Sequence, residues 1–547
     1  MSAKSAHVDT FAFDNLPPRE TWPERRFDLP ELRYPETLNC ANALLDGVID
    51  DVGSRTAILA PGGLRWSYAE LNERANRIAR VLVDDMGLVP GNRVLLRGPN
   101  SASMAAAWFG VIKAGGIAVG TMPMLRAKEL TDIIDKAQVS HALCDARLID
   151  ELEAARRACP TLARVLTFGS DSDASLEAHA ARKPETFDTV ATSAEDTALI
   201  AFTSGTTGKP KGTMHFHRDL LAACDLWPRS TLQAQPDDVF TGSPPLAFTF
   251  GLGGLLLFPL RIGAAALLCE KVSPDALLPA IAEHRATVLF TAPTSYRAMA
   301  AQVGKFDLKS LRKCVSAGEA LPAATRQLWK EATGIEIIDG IGATEMLHIF
   351  ISHRDDDARP DATGKPIRGY EACVMDDEGR PLAPGNVGRL AVKGPTGCRY
   401  LADSRQTNYV KDGWNYTGDA YFVDDDGWFH YQARTDDMIV SAGYNIAGPE
   451  VEGALLMHPA VAECACVASP DEDRGHIVKA FVVLKPDNVA SQTLTRMLQE
   501  FVKQEIAPYK YPRAIEYVAA LPRTETGKVQ RFRLRQQEIE RAQRNAQ

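Results

Sequence analysis

The sequence predicts an α/β protein: a large N-terminal domain of layered α/β subdomains with a small β-rich subdomain, then a small α+β C-terminal domain. Three observations carry this. Helical and strand patterns alternate from about residue 66. A short apolar strand at 197–202 runs straight into a polar loop of glycine, threonine, serine and lysine. Beyond 370 short strands alternate with glycine and aspartate turns, and the polar stretch at 434–437 marks a domain boundary, dividing the chain into 1–434 and 435–547.

In chain order, residues 1–40 are rich in proline and charge and read as an ordered or semi-ordered lead-in rather than a core element. Tyr68, Leu71, Ala75, Ile78, Val81 and Leu82 recur near helical spacing. Residues 93–97 read as a strand, 103–114 as a helix and 116–119 as a strand. The stretches 287–291 and 314–315 are apolar enough for buried strands. Turns at Asp377-Glu-Gly379, Pro384-Gly385 and Asp426-Gly427 punctuate the β-rich part. A helix opens at Pro449, with proline in its first turn, and a strand follows at 478–484. Residues 532–547 are charged and helical in character, with fraying expected.

Composition excludes several classes. The 547 residues suggest three or four folded units at roughly 100–200 residues each. Hydrophobic residues at 45% and charged residues at 24% are ordinary for a globular chain, which excludes global disorder. The net charge of −9 argues against a nucleic-acid coat or a membrane-surface binder. The 10 cysteines form no CxxC pair and read as buried apolar residues of a reducing compartment. The first twenty residues contain no apolar signal region, and Lys113, Pro259 and Arg261 interrupt the two most apolar runs. A cytoplasmic protein, monomeric or homodimeric, is the expectation.

The strongest motif is Thr203-Ser204-Gly205-Thr206-Thr207-Gly208-Lys209-Pro210-Lys211-Gly212. Glycines let backbone N–H groups converge, hydroxyls add donors and lysines add charge, which together suit a polyphosphate. Lys209 is followed by proline rather than serine or threonine, so this is not a Walker A loop. Gly340-Ile-Gly342 cannot begin a dinucleotide fingerprint, because Glu345 occupies the sixth position. His215-x-His217 is the only close histidine pair, and no third zinc ligand accompanies it.

The loop resembles the phosphate loop of the adenylate-forming superfamily, and four further segments follow in that family's order. Gly340-Ile341-Gly342-Ala343-Thr344-Glu345 resembles its adenine and magnesium segment, and Tyr416-Thr-Gly-Asp419 its ribose segment. Arg434-Thr-Asp436 onward resembles the hinge, and Pro522-Arg-Thr-Glu-Thr-Gly-Lys528 the C-terminal lysine segment. The resemblance spans roughly 60–535 and implies a mobile C-terminal domain. It implies that ATP lies on Thr203, Ser204, Gly205, Thr206, Thr207, Gly208, Lys211, Gly340, Ile341, Gly342, Asp419 and Arg434. Lys528, Thr344 and Glu345 are its catalytic candidates, with Glu345 holding Mg2+. Asp436 is the hinge, and Gly443 lets the arm of CoA pass. Ile341 stands where the family often has an aromatic residue, and Asn445 where many acetyl-type members carry arginine.

The resemblance implies a CoA ligase that uses ATP and CoA as co-substrates and a small aromatic carboxylic acid as partner. Phe248 and Ile349 supply a flat apolar wall, Ala247, Ala317 and Gly342 a floor of small residues, and His348 one polar handle. The segment around Gly342 and His348 is similar to the benzoate–CoA ligase branch, and the opening of the chain to 2-aminobenzoate–CoA ligases. The stretch 248–250 holds no acid that would pair an α-ammonium, which disfavours amino-acid activation. A medium-chain or branched acyl-CoA ligase and a non-catalytic nucleotide-binding member are the alternative readings.

Overall fold

The computed structural model describes residues 4–203, 210–359, 361–441, 444–471, 474–523 and 527–545, with the backbone alone for 436, 444, 445 and 545. Among these residues a six-stranded and a nine-stranded sheet dominate the first 370 residues. The six-stranded sheet runs, in spatial order, Arg164–Phe168, His141–Asp145, Arg93–Arg97, Ile117–Thr121, Thr197–Thr203 (β1) and Lys211–Phe216 (β2). All its pairings are parallel except the last, where β1 and β2 meet antiparallel with Thr203 opposite Lys211. The centre of the nine-stranded sheet is parallel and includes Lys313–Ser316 and Ile337–Gly342 (β3). Strands buried on both faces read as continuous apolar runs, which is why the sequence marks them.

Helices Tyr68–Arg80 and Ala102–Lys113 lie in the shared core with His217–Asp225. Ser67 begins the first with a capping box to Glu70. Lys113, which interrupts an apolar run, is fully buried and reaches Asp46 at 2.5 Å. No described helix is long and apolar enough to cross a membrane.

Trp414–Val423 (β4) and Phe429–Arg434 (β5) pair in a five-stranded sheet with its own core. The last hundred residues pack around an antiparallel pair, Val461–Asp471 and Gly475–Leu484, extended by Ala514–Tyr517 in parallel.

Two expectations are corrected. The lead-in is part of the core: Ala12 is fully buried and Leu32 is 2% exposed, because some of its apolar side chains face inward, while Val8 and Phe13 stay exposed. The C-terminal helix Arg531–Asn545 is anchored along one face. Leu534 is buried there, and Glu538 one turn later accepts bonds from Ser469 and Lys479, both at 2.8 Å.

Candidate active site

Thr203 closes β1 and Lys211 opens β2, so the register sets both at the mouth of the segment 204–209. Ser204, Gly205, Thr206, Thr207 and Gly208 lie outside the described residues, as does Gly443. Lys211 Nζ donates to Tyr400 Oη at 3.0 Å and lies 3.9 Å from Glu345 Oε1. Tyr400 Oη in turn donates to Glu345 Oε1 at 2.5 Å. Burial and the neighbouring carboxylate hold the Tyr400 phenol far above its usual range, so it stays protonated.

Glu345 sits in the 3-10 turn Thr344–Met346 that follows β3, and it is 8% exposed. His215 Nε2–H donates to the Thr344 carbonyl at 2.8 Å, and the Thr396 hydroxyl donates to the Met346 carbonyl at 2.7 Å. Both carbonyl bonds fix the turn from behind. Burial pushes the His215 pKa down to about 4, so the ring is neutral. Ahead of the turn, burial raises the Asp339 carboxyl to about 7, with Arg326 opposing.

Glu345 fits a hard cation. Only Oε1 is engaged among the described residues, leaving Oε2 as a ligand, and no described cluster offers three protein ligands. One carboxylate plus the oxygens of a polyphosphate is a coordination set that Mg2+ accepts.

Asp419 and Arg434 face each other across β4 and β5, with Asp419 Oδ1 accepting from Arg434 Nη1 at 3.1 Å. Burial raises the Asp419 pKa and Arg434 opposes the rise. Gly418 has φ +77, and a Cβ there would lie 2.6 Å from the Arg434 guanidinium, so the turn needs glycine.

Lys528 follows Gly527, whose φ is +85, on the C-terminal side of the cleft. Its Nζ would be 3.9 Å from a Cβ on Gly318. Desolvation by the cleft walls lowers its pKa, and Glu319 offsets this, with smaller opposing effects from Arg434 and Asp419. Asp419 and Arg434 are near enough to act on its charge, and the residue is exposed. Asp436 has its backbone in the turn Thr435–Asp437, and its side chain lies outside the described residues.

Of the expected acid-binding residues, Ala247 and Phe248 are half-buried, Ala317 is buried and Gly342 is exposed. Asn100 clamps this stretch, donating to the Pro244 carbonyl at 2.9 Å and accepting from Leu246 N at 2.8 Å. Ile341 is half-buried against the core of the β-rich sheet. Ile349 packs into the space left by Gly340.

His348 follows Leu347, a non-glycine residue at φ +69, which turns it back into a cage of Trp227, Phe250, Phe258 and Phe290. Its Nε2 faces the Phe250 carbonyl at 3.4 Å, and its Nδ1 is buried without a hydrogen-bond partner. Burial lowers its pKa to about 3. A small apolar void of about 10 Å³ lies beside Ala247, lined also by Trp108 and Gly120. A polar depression of about 520 Å³, lined by Arg229, Gln235, Arg312 and Lys313, includes none of these residues.

Sequence reasoning missed Tyr400, His215, Asp339, Glu319 and Asn100. Tyr400 is 189 residues from Lys211 and 55 from Glu345, and no local motif announces it. In the sequence His215 stands out only as one of a close histidine pair, a pattern that points to metal binding. Its neighbour His217 is also committed, with Nδ1 accepting from Cys40 N at 3.1 Å.

The chain matches the family model for AMP-binding enzymes over residues 48–400, and the model for the AMP-binding enzyme C-terminal domain over 450–528. It is 36% identical over 513 residues to a benzoate–CoA ligase of Thauera aromatica, covering 92% of this chain and 97% of that one. A crystal structure of the anthranilate CoA ligase AuaEII in complex with anthranoyl-AMP superposes with a TM-score of 0.89 at 35% identity, covering 93% of this chain and 99% of that one. A benzoate CoA ligase from Burkholderia xenovorans LB400 gives 0.83 at 32%, covering 91% and 100%.

Proposed function

The chain belongs to the AMP-binding enzyme family, in the benzoate–CoA ligase branch of the adenylate-forming superfamily, and from this premise we propose that it is an ATP-dependent aryl-acid CoA ligase acting on 2-aminobenzoate or benzoate. Residues 1–434 bind ATP and the acid. Residues 435–547 carry Lys528 and turn about Asp436.

In the first half-reaction a carboxylate oxygen of the acid attacks the α-phosphorus of ATP. The new P–O bond forms as the bond to the β-phosphate oxygen breaks, giving aryl-AMP and pyrophosphate. Two anions must meet, so Lys528 stands between them and lowers the barrier. Thr344 donates to the α-phosphate, while Lys211 and the loop 203–208 hold the outer phosphates. Asp419 accepts the ribose hydroxyls, Arg434 braces it, and Gly340, Ile341 and Gly342 flank the adenine. Mg2+, bound by Glu345 and the phosphates, would supply charge neutralisation there.

In the second half-reaction the CoA thiol attacks the acyl carbon, the bond to AMP breaks and the thiol proton is released. Lys528 occupies the cleft in the first step, so the C-terminal domain must rotate before the thiol enters past Gly443.

The observation that carries the choice of acid is His348. Its Nε2–H faces a carbonyl, so Nδ1 is a bare acceptor in an aromatic cage. A buried acceptor is costly without a donor. A ring amino group that reached this nitrogen would supply one, which favours 2-aminobenzoate over benzoate. The test is AMP release with ATP, Mg2+ and CoA across benzoate, 2-aminobenzoate, hydroxybenzoates, phenylacetate and hexanoate. Turnover confined to benzoates, best with the ortho-amino acid, is expected. Turnover with hexanoate alone would overturn the aryl reading and leave the adenylation chemistry standing.

A further inference from the structure

Tyr400 closes a bridge between two charged residues that the motifs place on ATP. It is fully buried, and its position is fixed by the backbone on both sides. It bridges to Thr213 of β2, Leu401 N donates to the Gly212 carbonyl at 2.8 Å, and Gln406 Oε1 accepts from Tyr400 N at 2.9 Å. The ring stands edge-on to Tyr409 with centroids 5.9 Å apart. The phenol's one proton goes to Glu345 Oε1, and its oxygen accepts from Lys211.

Two consequences follow from this geometry. A carboxylate is planar, so holding Oε1 sets the direction of Oε2. The phenol also acts as a spacer: it holds the Lys211–Glu345 ion pair at 3.9 Å, and without it Lys211 would close to hydrogen-bonding distance and draw the carboxylate away from a cation. We propose that Tyr400 is a positioning residue that keeps Lys211 and Glu345 apart and aims the free oxygen of Glu345 at the divalent cation that accompanies ATP. The inference rests on the reading of Glu345 as the cation's ligand.

The readout is the factor by which Mn2+ tightens ATP binding to the full-length protein, from calorimetry with and without the metal. Tyr400→Phe keeps the ring and should cut that factor about ten-fold, the scale of one hydrogen bond to a charged group. Because Tyr400 acts through Glu345, adding Tyr400→Phe to Glu345→Gln should cost nothing more. An unchanged factor in Tyr400→Phe, or losses that multiply in the double variant, would overturn the coupling alone. ATP binding that ignores Mn2+ in the wild type would remove the metal reading of Glu345, and this proposal with it.

A second measurement does not depend on how the variant folds. A ring-fluorinated tyrosine placed at position 400 keeps the phenol. Its fluorine NMR signal should move when Mg2+ is added to the ATP complex. A signal that responds to ATP and then ignores Mg2+ contradicts the proposal.

Discussion

Glu345 lies under Tyr400 and Lys211, on a turn whose carbonyls are held by His215 and Thr396, whereas Lys528 stands on an open turn behind Gly527, across the cleft. The first charge is fixed by buried polar contacts, and the residue before Tyr400, Arg399, forms a fully buried ion pair with Asp219. The second stands on the C-terminal part of the chain, disfavoured by desolvation and supported by the field of Glu319. In the proposed reaction the group that serves both half-reactions is the one built into the fold, and the group proposed to leave after the first is the one presented from the surface.

Breaking the buried side should cost the most stability. Arg399→Met leaves Asp219 as an uncompensated buried charge, with an expected loss of about 3–5 kcal/mol in chemical denaturation. Both half-reactions should fall together, since the wall serves both. Gly418→Ala comes next: the left-handed backbone and the Arg434 contact predict a loss of about 1–3 kcal/mol and a raised KM for ATP.

The buried histidines sharpen the contrast through pH. His215, His217 and His348 have folded pKa values lowered to about 4, 3 and 3, against 6.5 when unfolded. The unfolded state therefore binds more protons between about pH 6.5 and 4, and stability falls as pH falls through that window. Replacing one of them, as in His217→Gln, should reduce the slope of unfolding free energy near pH 5 by about 1.4 kcal/mol per pH unit. An unchanged slope would mean that the ring is charged in the fold. The smallest stability effect belongs to Lys528→Ala, within about 0.5 kcal/mol of the wild type, because an exposed turn residue holds little of the core together.

The same contrast decides what the sequence could reveal. The strands of the parallel sheets, the helix Tyr68–Arg80 and the loop at 203–212 are local patterns, and apolar periodicity or turn chemistry marks them. Asp419 and Arg434 also sit in local motifs, though their pairing depends on a register between two strands. Tyr400, His215 and Asn100 act across separations of 55 to 189 residues. Their roles exist only once the sheets have formed. The lead-in is illegible for the same reason: a charged, proline-rich segment shows its few inward-facing side chains only against the surface it crosses.

The most direct test of the account separates the two half-reactions in Lys528→Ala. Aryl-AMP formation, followed by pyrophosphate release, should fall roughly 100-fold or more. Thioester formation from preformed aryl-AMP and CoA should proceed at the wild-type rate. Equal loss in both steps would contradict the account, since it would make Lys528 part of the fixed wall rather than a charge that enters for one step and then withdraws.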